Sequence, residues 1–427
     1  MKIERGVTAF FLIWFGQLIS GLGSGLTSFA LSFWVFDQTL RATEMGLIAM
    51  SASIPSVVLA PVMGALADRI DRRRALIFVD SLAALAIAVM VWLAVTDQMK
   101  IWHIYPLVAL VGACGNFHWP AMSALTTELL PKSMLSRAAA LTSINEATSV
   151  ILSPILAALL YTRSHISVIL WIDALTFALA AVCALLAWTP KREPIAGPKE
   201  GFLQNMSHGF RFIWERPAMM RVLLFFMLTN FAAAVLMVVY PAMVMTYHSK
   251  EAVGTIHAVG GLGMLAGGMA VAARGVRANR AWGMRAGGIV AGAALLFALL
   301  PPHFAIHAMV LLGVMLPMPY MYACSQSLWQ TKTPVELQGR VFSVRRMAGQ
   351  ALAPLAYFLS GGLNDRVFEP AMRKGGALVP YFGGWMGVGP GSGARLLIAL
   401  IGVAMAGIAV LILGRALNVE SEVADAS

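Results

Sequence analysis

Hydrophobic residues in this chain of 427 gather into long runs, separated by short polar stretches where Arg, Lys, Pro and Gly concentrate. About 20 consecutive apolar residues let an α-helix, rising about 1.5 Å per residue, cross the ~30 Å hydrocarbon layer of a bilayer. Twelve runs meet or approach that length, at residues 8–36, 44–66, 75–96, 103–127, 137–161, 166–188, 218–241, 251–273, 283–300, 304–328, 341–362 and 393–414. The first run is too long for a signal-peptide core and no evident cleavage site follows it, so it is read as a retained helix. The expected fold is an all-α membrane protein of twelve transmembrane helices.

The polar interruptions divide the chain. Residues 189–217 form the longest linker, separating a half at 1–188 from a half at 218–427. Within the linker, Phe202, Met206, Phe210 and Ile213 recur at helical spacing beside Arg211 and Arg216, a pattern that predicts an amphipathic helix on the membrane surface. A shift of 200 residues aligns residues 142–161 with 342–361, setting Ser143 on Ser343 and Pro154 on Pro354. These are the fifth and eleventh runs, equivalent places in two six-helix halves, and repeats of this kind build the central site of many secondary transporters. Residues 363–393, rich in glycine, are expected to be an external loop whose aromatic side chains rest at the interface.

Composition agrees: 59% of residues are hydrophobic, 12% are charged and the mean hydropathy is +0.77. The positive charge is distributed unevenly. Of the 31 Lys and Arg, 23 fall on the side that carries both termini when the helices are threaded in order. Basic loops stay in the cytoplasm, so both termini are expected there, in a cell inner membrane. The net charge of +11 then reflects loops facing anionic lipid, not nucleic-acid binding. Cys114, Cys183 and Cys324 lie within runs, at spacings that match no metal or disulfide framework.

Polar residues inside apolar runs are the candidates for function, because burying them in lipid is costly. Glu146, beside Asn145 in the fifth run, lies about 14 Å from the nearer helix end. A carboxyl at that depth can gain and lose a proton, and it is the first candidate proton carrier. Asp173, in the sixth run, is the second. Gln17, Ser20, Ser24 and Thr27 share one face of the first run, and Gly112, Asn116, Trp119 and Ser123 share one face of the fourth. Asn230, Arg346 and Gln350 are candidate cavity residues in the second half, Arg346 being the repeat equivalent of Glu146. Asp80 is assigned to a charge network at the cytoplasmic end, and His118 to a structural role.

The most specific motif follows the second run: Gly64, Asp68, Arg69, Asp71, Arg72, Arg73 and Arg74. It resembles the cytoplasmic signature of the major facilitator superfamily. With Asp71 in place of the usual Gly, it is similar to the efflux branch that includes macrolide and enterobactin exporters. The runs PAMSALTTELLP, WIDALTF, GRVFSV and LNDRVFEPAM fit the same branch. The resemblance implies a twelve-helix bundle, alternating access and proton-coupled efflux. Asp68 would gate the cycle by facing Arg residues or the N-terminus of a neighbouring helix in one conformation only. The chain departs from the drug-antiporter pattern in two places. Its fourth run has Asn116 and His118 where such antiporters carry an Arg, and Ser153-Pro154 replaces their Gly-Pro.

No P-loop, HExxH or GxSxG is present, so the chain is read as neither an ATP-driven pump nor an enzyme. It is expected to need no cofactor or metal and to work as a monomer. The resulting expectation is a proton-driven exporter of a small amphipathic organic molecule. The alternatives are an exporter of a siderophore or other metabolite, a lipid flippase of the same fold, and a non-transporting membrane sensor or partner protein.

Overall fold

The structure is a computed structural model that describes residues 2–69, 71–189, 202–276 and 279–414; some side chains within these segments, that of Glu146 among them, lie outside the described residues. Among the described residues there are helices and no strands, and nine segments are long and apolar enough to cross a membrane. Two compact units result, Met1–Leu40 with Leu47–Lys199, and Arg41–Gly46 with Glu200–Ser427.

The first unit is built from α1 (Lys2–Thr39), α2 (Ala42–Arg69), α3 (Arg72–Val95), α4 (Ile101–Leu129), α5 (Leu135–Arg163) and α6 (Ile166–Leu186). Helix α6 is central, with α1 and α3 packed along it, α5 against α1 and α4 against α3. The basic motif acquires local structural roles here. Asp71 is the N-cap of α3, accepting from the backbone N–H of Arg73 at 3.0 Å and of Arg74 at 3.2 Å. This satisfies donors that a helix start leaves orphaned. Arg72 pairs with Glu128 of α4 at 3.1 Å. Arg73 donates to the carbonyls of Ala184 and Leu185, satisfying acceptors at the end of α6. The side chains of Gly64, Asp68 and Arg69, and with them the expected gating contact, lie outside the described residues.

The second unit contains α7 (Phe202–Trp214), α8 (Pro217–Tyr247), α9 (Lys250–Arg274), α10 (Arg280–Leu296), α11 (Phe304–Met315) and α12 (Met318–Lys332). It continues with α13 (Val335–Gln350), α14 (Ala353–Leu363), α15 (Glu369–Ala371), α16 (Val379–Met386) and α17 (Ser392–Gly414). The tenth and eleventh spans are each divided, α11 from α12 and α13 from α14. Pro354 has no N–H for the carbonyl of Gln350, four residues back, and α13 stops at Gln350. Pro154, its repeat equivalent, stays inside an unbroken α5. In the linker helix α7, Phe212 and Ile213 are buried in the core of the second unit, while Phe210 stacks on Trp214 on the exposed side at 5.8 Å.

Residues 363–393, read from sequence as an irregular loop, are an ordered cap. A π-helical turn at Asn364–Phe368 leads into α15 and then α16. Met372, Met386 and Leu396 form a small core beneath them. Two charged side chains fasten this cap. Glu369 accepts from the N–H groups of Gly391 and Ala394, at 3.1 and 3.0 Å, where α17 begins and an anion is favoured. Arg395, 2% exposed, donates to the carbonyls of Ala298, Leu299, Leu300 and Met386 at 2.6–2.9 Å. Its guanidinium thereby satisfies acceptors at the C-terminal ends of two helical segments at once. Arg395→Ala is expected to destabilise the protein by at least about 3 kcal/mol, because those carbonyls lose charged donors in a buried place. Exposed Lys374→Ala should change it by less than about 0.5 kcal/mol. Thermal unfolding of the purified protein in detergent reads both.

Candidate functional site

The polar face of α1 collects two buried carboxyl groups in the first unit. Near the middle of the helix, Gln17 Nε2 donates to Asp80 Oδ2 of α3 at 3.0 Å. The other oxygen, Asp80 Oδ1, lies 2.8 Å from His118 Nε2 of α4. Asp80 is completely buried, whereas the His118 side chain keeps 22% of its surface open. Cys114, one turn before His118, is also buried. Three helices thus converge on one carboxyl group through an amide and an imidazole.

Two turns further along α1, Ser24 Oγ lies 3.5 Å from Asp173 Oδ1 of α6, and Thr176 Oγ1 lies 3.5 Å from the same oxygen. Asp173 is 1% exposed, and its Oδ2 has no hydrogen-bond partner among the described residues. Gly23 makes this seam possible. A Cβ there would lie 2.2 Å from Thr176 Oγ1 and 2.8 Å from Asp173 Oδ1, so only glycine lets α1 come this close.

The remaining sequence candidates divide between the units. Ser20 is buried on the same helix as Gln17. Asn116 donates to the carbonyl of Ser56 at 2.6 Å and ties α4 to α2. The Asn145 backbone lies in α5, and its Oδ1 is buried without a hydrogen-bond partner among the described residues. Glu146 is on the same helix with its side chain outside the described residues. In the second unit, Asn230 donates to the carbonyl of Gly349 at 2.9 Å, and the Tyr322 hydroxyl lies 3.4 Å from its Oδ1. Arg346 and Gln350 are exposed. Arg345 donates to Gln326 at 2.9 Å and Ser325 at 3.1 Å, with Trp329 beneath its guanidinium. Sequence reasoning did not join Asp80 to His118. The available signal was an acid and a base, each inside an apolar run of adjacent spans.

Ionisable groups buried inside membrane-spanning helices are costly and mark candidate paths for ions or substrate. The family is defined by sequence: residues 13–357 match the model of the Major Facilitator Superfamily, and the chain belongs to it. It is 27% identical to macrolide efflux protein A of Streptococcus pyogenes over 372 residues, 86% of this chain and 92% of that protein. It is 26% identical to the multidrug efflux pump Tap of Mycobacterium tuberculosis (strain ATCC 25618 / H37Rv) over 374 residues, 83% of this chain and 87% of that protein. Among solved structures, the fold is similar to a bacterial homologue of the human lysosomal transporter Spinster, with a TM-score of 0.74, 12% identity and 98% of both chains covered. It is also similar to the nucleoside transporter NupG, with a TM-score of 0.68, 13% identity, and 96% of this chain and 99% of that one covered. The chain is thus a transporter of the Major Facilitator Superfamily and not an enzyme.

The seam at Gly23 gives a direct test. Gly23→Ala should destabilise the protein by about 1–3 kcal/mol, since its methyl group meets packed atoms. Gly115→Ala, where a Cβ meets nothing within 4 Å, should be neutral or slightly stabilising. Melting temperatures of the two variants beside the parent decide the matter.

Proposed function

We propose that this protein exports a small amphipathic organic molecule in exchange for protons, by alternating access, as a monomer in the inner membrane with both termini in the cytoplasm. The observation that carries the reading is the Asp80–His118 pair, held to α1 by Gln17. With the imidazole protonated, the pair is neutral overall. When that proton leaves, a single negative charge remains in an apolar setting, which is unfavourable unless another cation arrives. A proton and a cationic amphipathic substrate can therefore neutralise the same place in turn, which is the requirement for antiport.

Each charge state biases the contacts that α3 and α4 make with α1, and a ligand that changes that bias shifts the equilibrium between conformations. Gln17 is the link, because its amide follows Asp80 from a different helix. Asp173 and Glu146 remain further proton sites on the same unit, and Asp68 remains the proposed conformational gate. The choice of an organic, amphipathic cargo is supported by two relatives named for macrolide and for multidrug efflux.

Proteoliposomes with an imposed pH gradient test the reading. The parent protein should accumulate a macrolide or a cationic dye in proportion to the gradient. Asp80→Asn and His118→Gln should lose that dependence while still exchanging substrate at equal pH, since exchange needs no net proton movement. If both variants respond to the gradient as the parent does, Asp80–His118 is not the carrier. Glu146→Gln and Asp173→Asn, assayed alongside, then identify the group that is. Orientation has its own measurement. A membrane-impermeant thiol reagent applied to intact cells should label Lys374→Cys and miss His208→Cys. The reverse pattern overturns the assigned topology.

A further inference from the structure

A second polar cluster lies in the second unit, away from the residues considered so far. It is formed where α8 ends and α11 begins. His307, in the first turn of α11, is 1% exposed, and neither of its ring nitrogens has a hydrogen-bond partner among the described residues. His248, the residue that caps α8, has its Nε2 buried and equally without a partner. So does the hydroxyl of Tyr247, the last residue of α8. The two imidazole centres are 5.1 Å apart, and the Tyr247 ring centre is 6.2 Å from that of His307.

This is an unusual concentration. A neutral imidazole always offers one donor and one acceptor, and buried polar groups are nearly always satisfied. Here four polar atoms of three side chains are buried together, and none has a hydrogen-bond partner among the described residues. The neighbours that could have met them are engaged elsewhere. Tyr240 gives its hydroxyl to the backbone carbonyl of His307, and the Nδ1 of His257 on α9 is 2.9 Å from the carbonyl of Val253. The Tyr247 ring is packed on Gly391, whose φ of +82° no ordinary side chain adopts readily.

We propose that His248 and His307 bind one divalent cation of the zinc class, with the Tyr247 hydroxyl and water completing its shell. Neutral imidazole nitrogen is a preferred ligand of zinc, nickel and copper, whereas magnesium and calcium prefer oxygen. Two imidazoles on one tetrahedral ion, at about 2.0–2.1 Å from nitrogen to metal, place their ring centres roughly 5 Å apart. The observed 5.1 Å between the ring centres matches that spacing. The charged neighbours do not forbid the ion. The guanidinium of Arg395 faces the carbonyls of Ala298, Leu299, Leu300 and Met386, the C-terminal ends of two helical segments, which carry partial negative charge. Glu369, bonded to the N–H of Gly391 against which Tyr247 packs, adds a negative charge on that side. The bound ion would join the end of α8 to the start of α11.

The full-length protein in detergent tests the proposal with Zn2+ alone, and with Co2+ as a coloured substitute. After desalting, the parent should retain one zinc per chain, and Co2+ should give the visible absorption of a tetrahedral nitrogen site. His307→Ala and His248→Ala should each weaken Zn2+ binding at least tenfold, while His303→Ala, exposed at the head of α11, should leave it unchanged. Should His307→Ala fail to fold, as judged by its gel-filtration profile, the half-buried His248→Ala decides alone. Retention of less than one ion per chain by the parent, or equal binding in parent and His248→Ala, overturns the proposal and leaves a water-filled pocket. Neither result depends on transport, so the proton-coupled reading stands or falls separately.

Discussion

In hydrocarbon there is no water to satisfy an N–H, a C=O or a charge, and every such group must find its partner within the protein. The helices answer this for the backbone. At several helix ends a side chain takes over: Asp71 at the start of α3, Arg73 at the end of α6, and Arg395 across four carbonyls. The same constraint makes the exceptions informative. Asp173 Oδ2, the nitrogens of His307 and the Tyr247 hydroxyl are buried and unmatched. They are among a dozen such side-chain atoms in the described residues, and those of His307, His248 and Tyr247 lie side by side.

Much of the fold is legible in the sequence because hydrophobic run length is a local property. The starts and stops of α2, α3, α6, α9 and α17 fall within a few residues of the apolar runs that predict them. The division of the eleventh span at Pro354 follows from one residue's missing N–H. The cap over α17 was not legible. Its order comes from Glu369 and Arg395 reaching across sequence to helix ends, and a glycine-rich stretch gives no local sign of that.

The candidate site was partly legible for the same reason. Their place in apolar runs marks Asp80, His118 and Asp173 as costly residues, but only the packing of α3 on α4, with Gln17 of α1 reaching Asp80, turns two of them into a pair. Arg345 on α13 is likewise placed by neighbours that no local pattern announces, Gln326, Ser325 and Trp329 of α12. Asp71 is a mixed case. The sequence identifies it as a departure from a glycine-bearing motif, and the structure supplies the chemical reason, since a carboxylate caps α3 and a glycine cannot.

The anchorage of Arg395 also bears on how the protein is made. Helix α17 is the last described helix of the chain, so it is synthesised after everything it binds to. Its first turn carries a full positive charge, that of Arg395, which lipid alone does not accommodate. The four carbonyls that solvate this charge belong to the segment ending at Leu300 and to Met386. Membrane insertion of α17 is therefore tied to the prior placement of those two segments. A nascent chain that mislays either one is left with an unsolvated guanidinium, a chemical flag by which quality-control proteases can tell an incomplete second unit from a finished one.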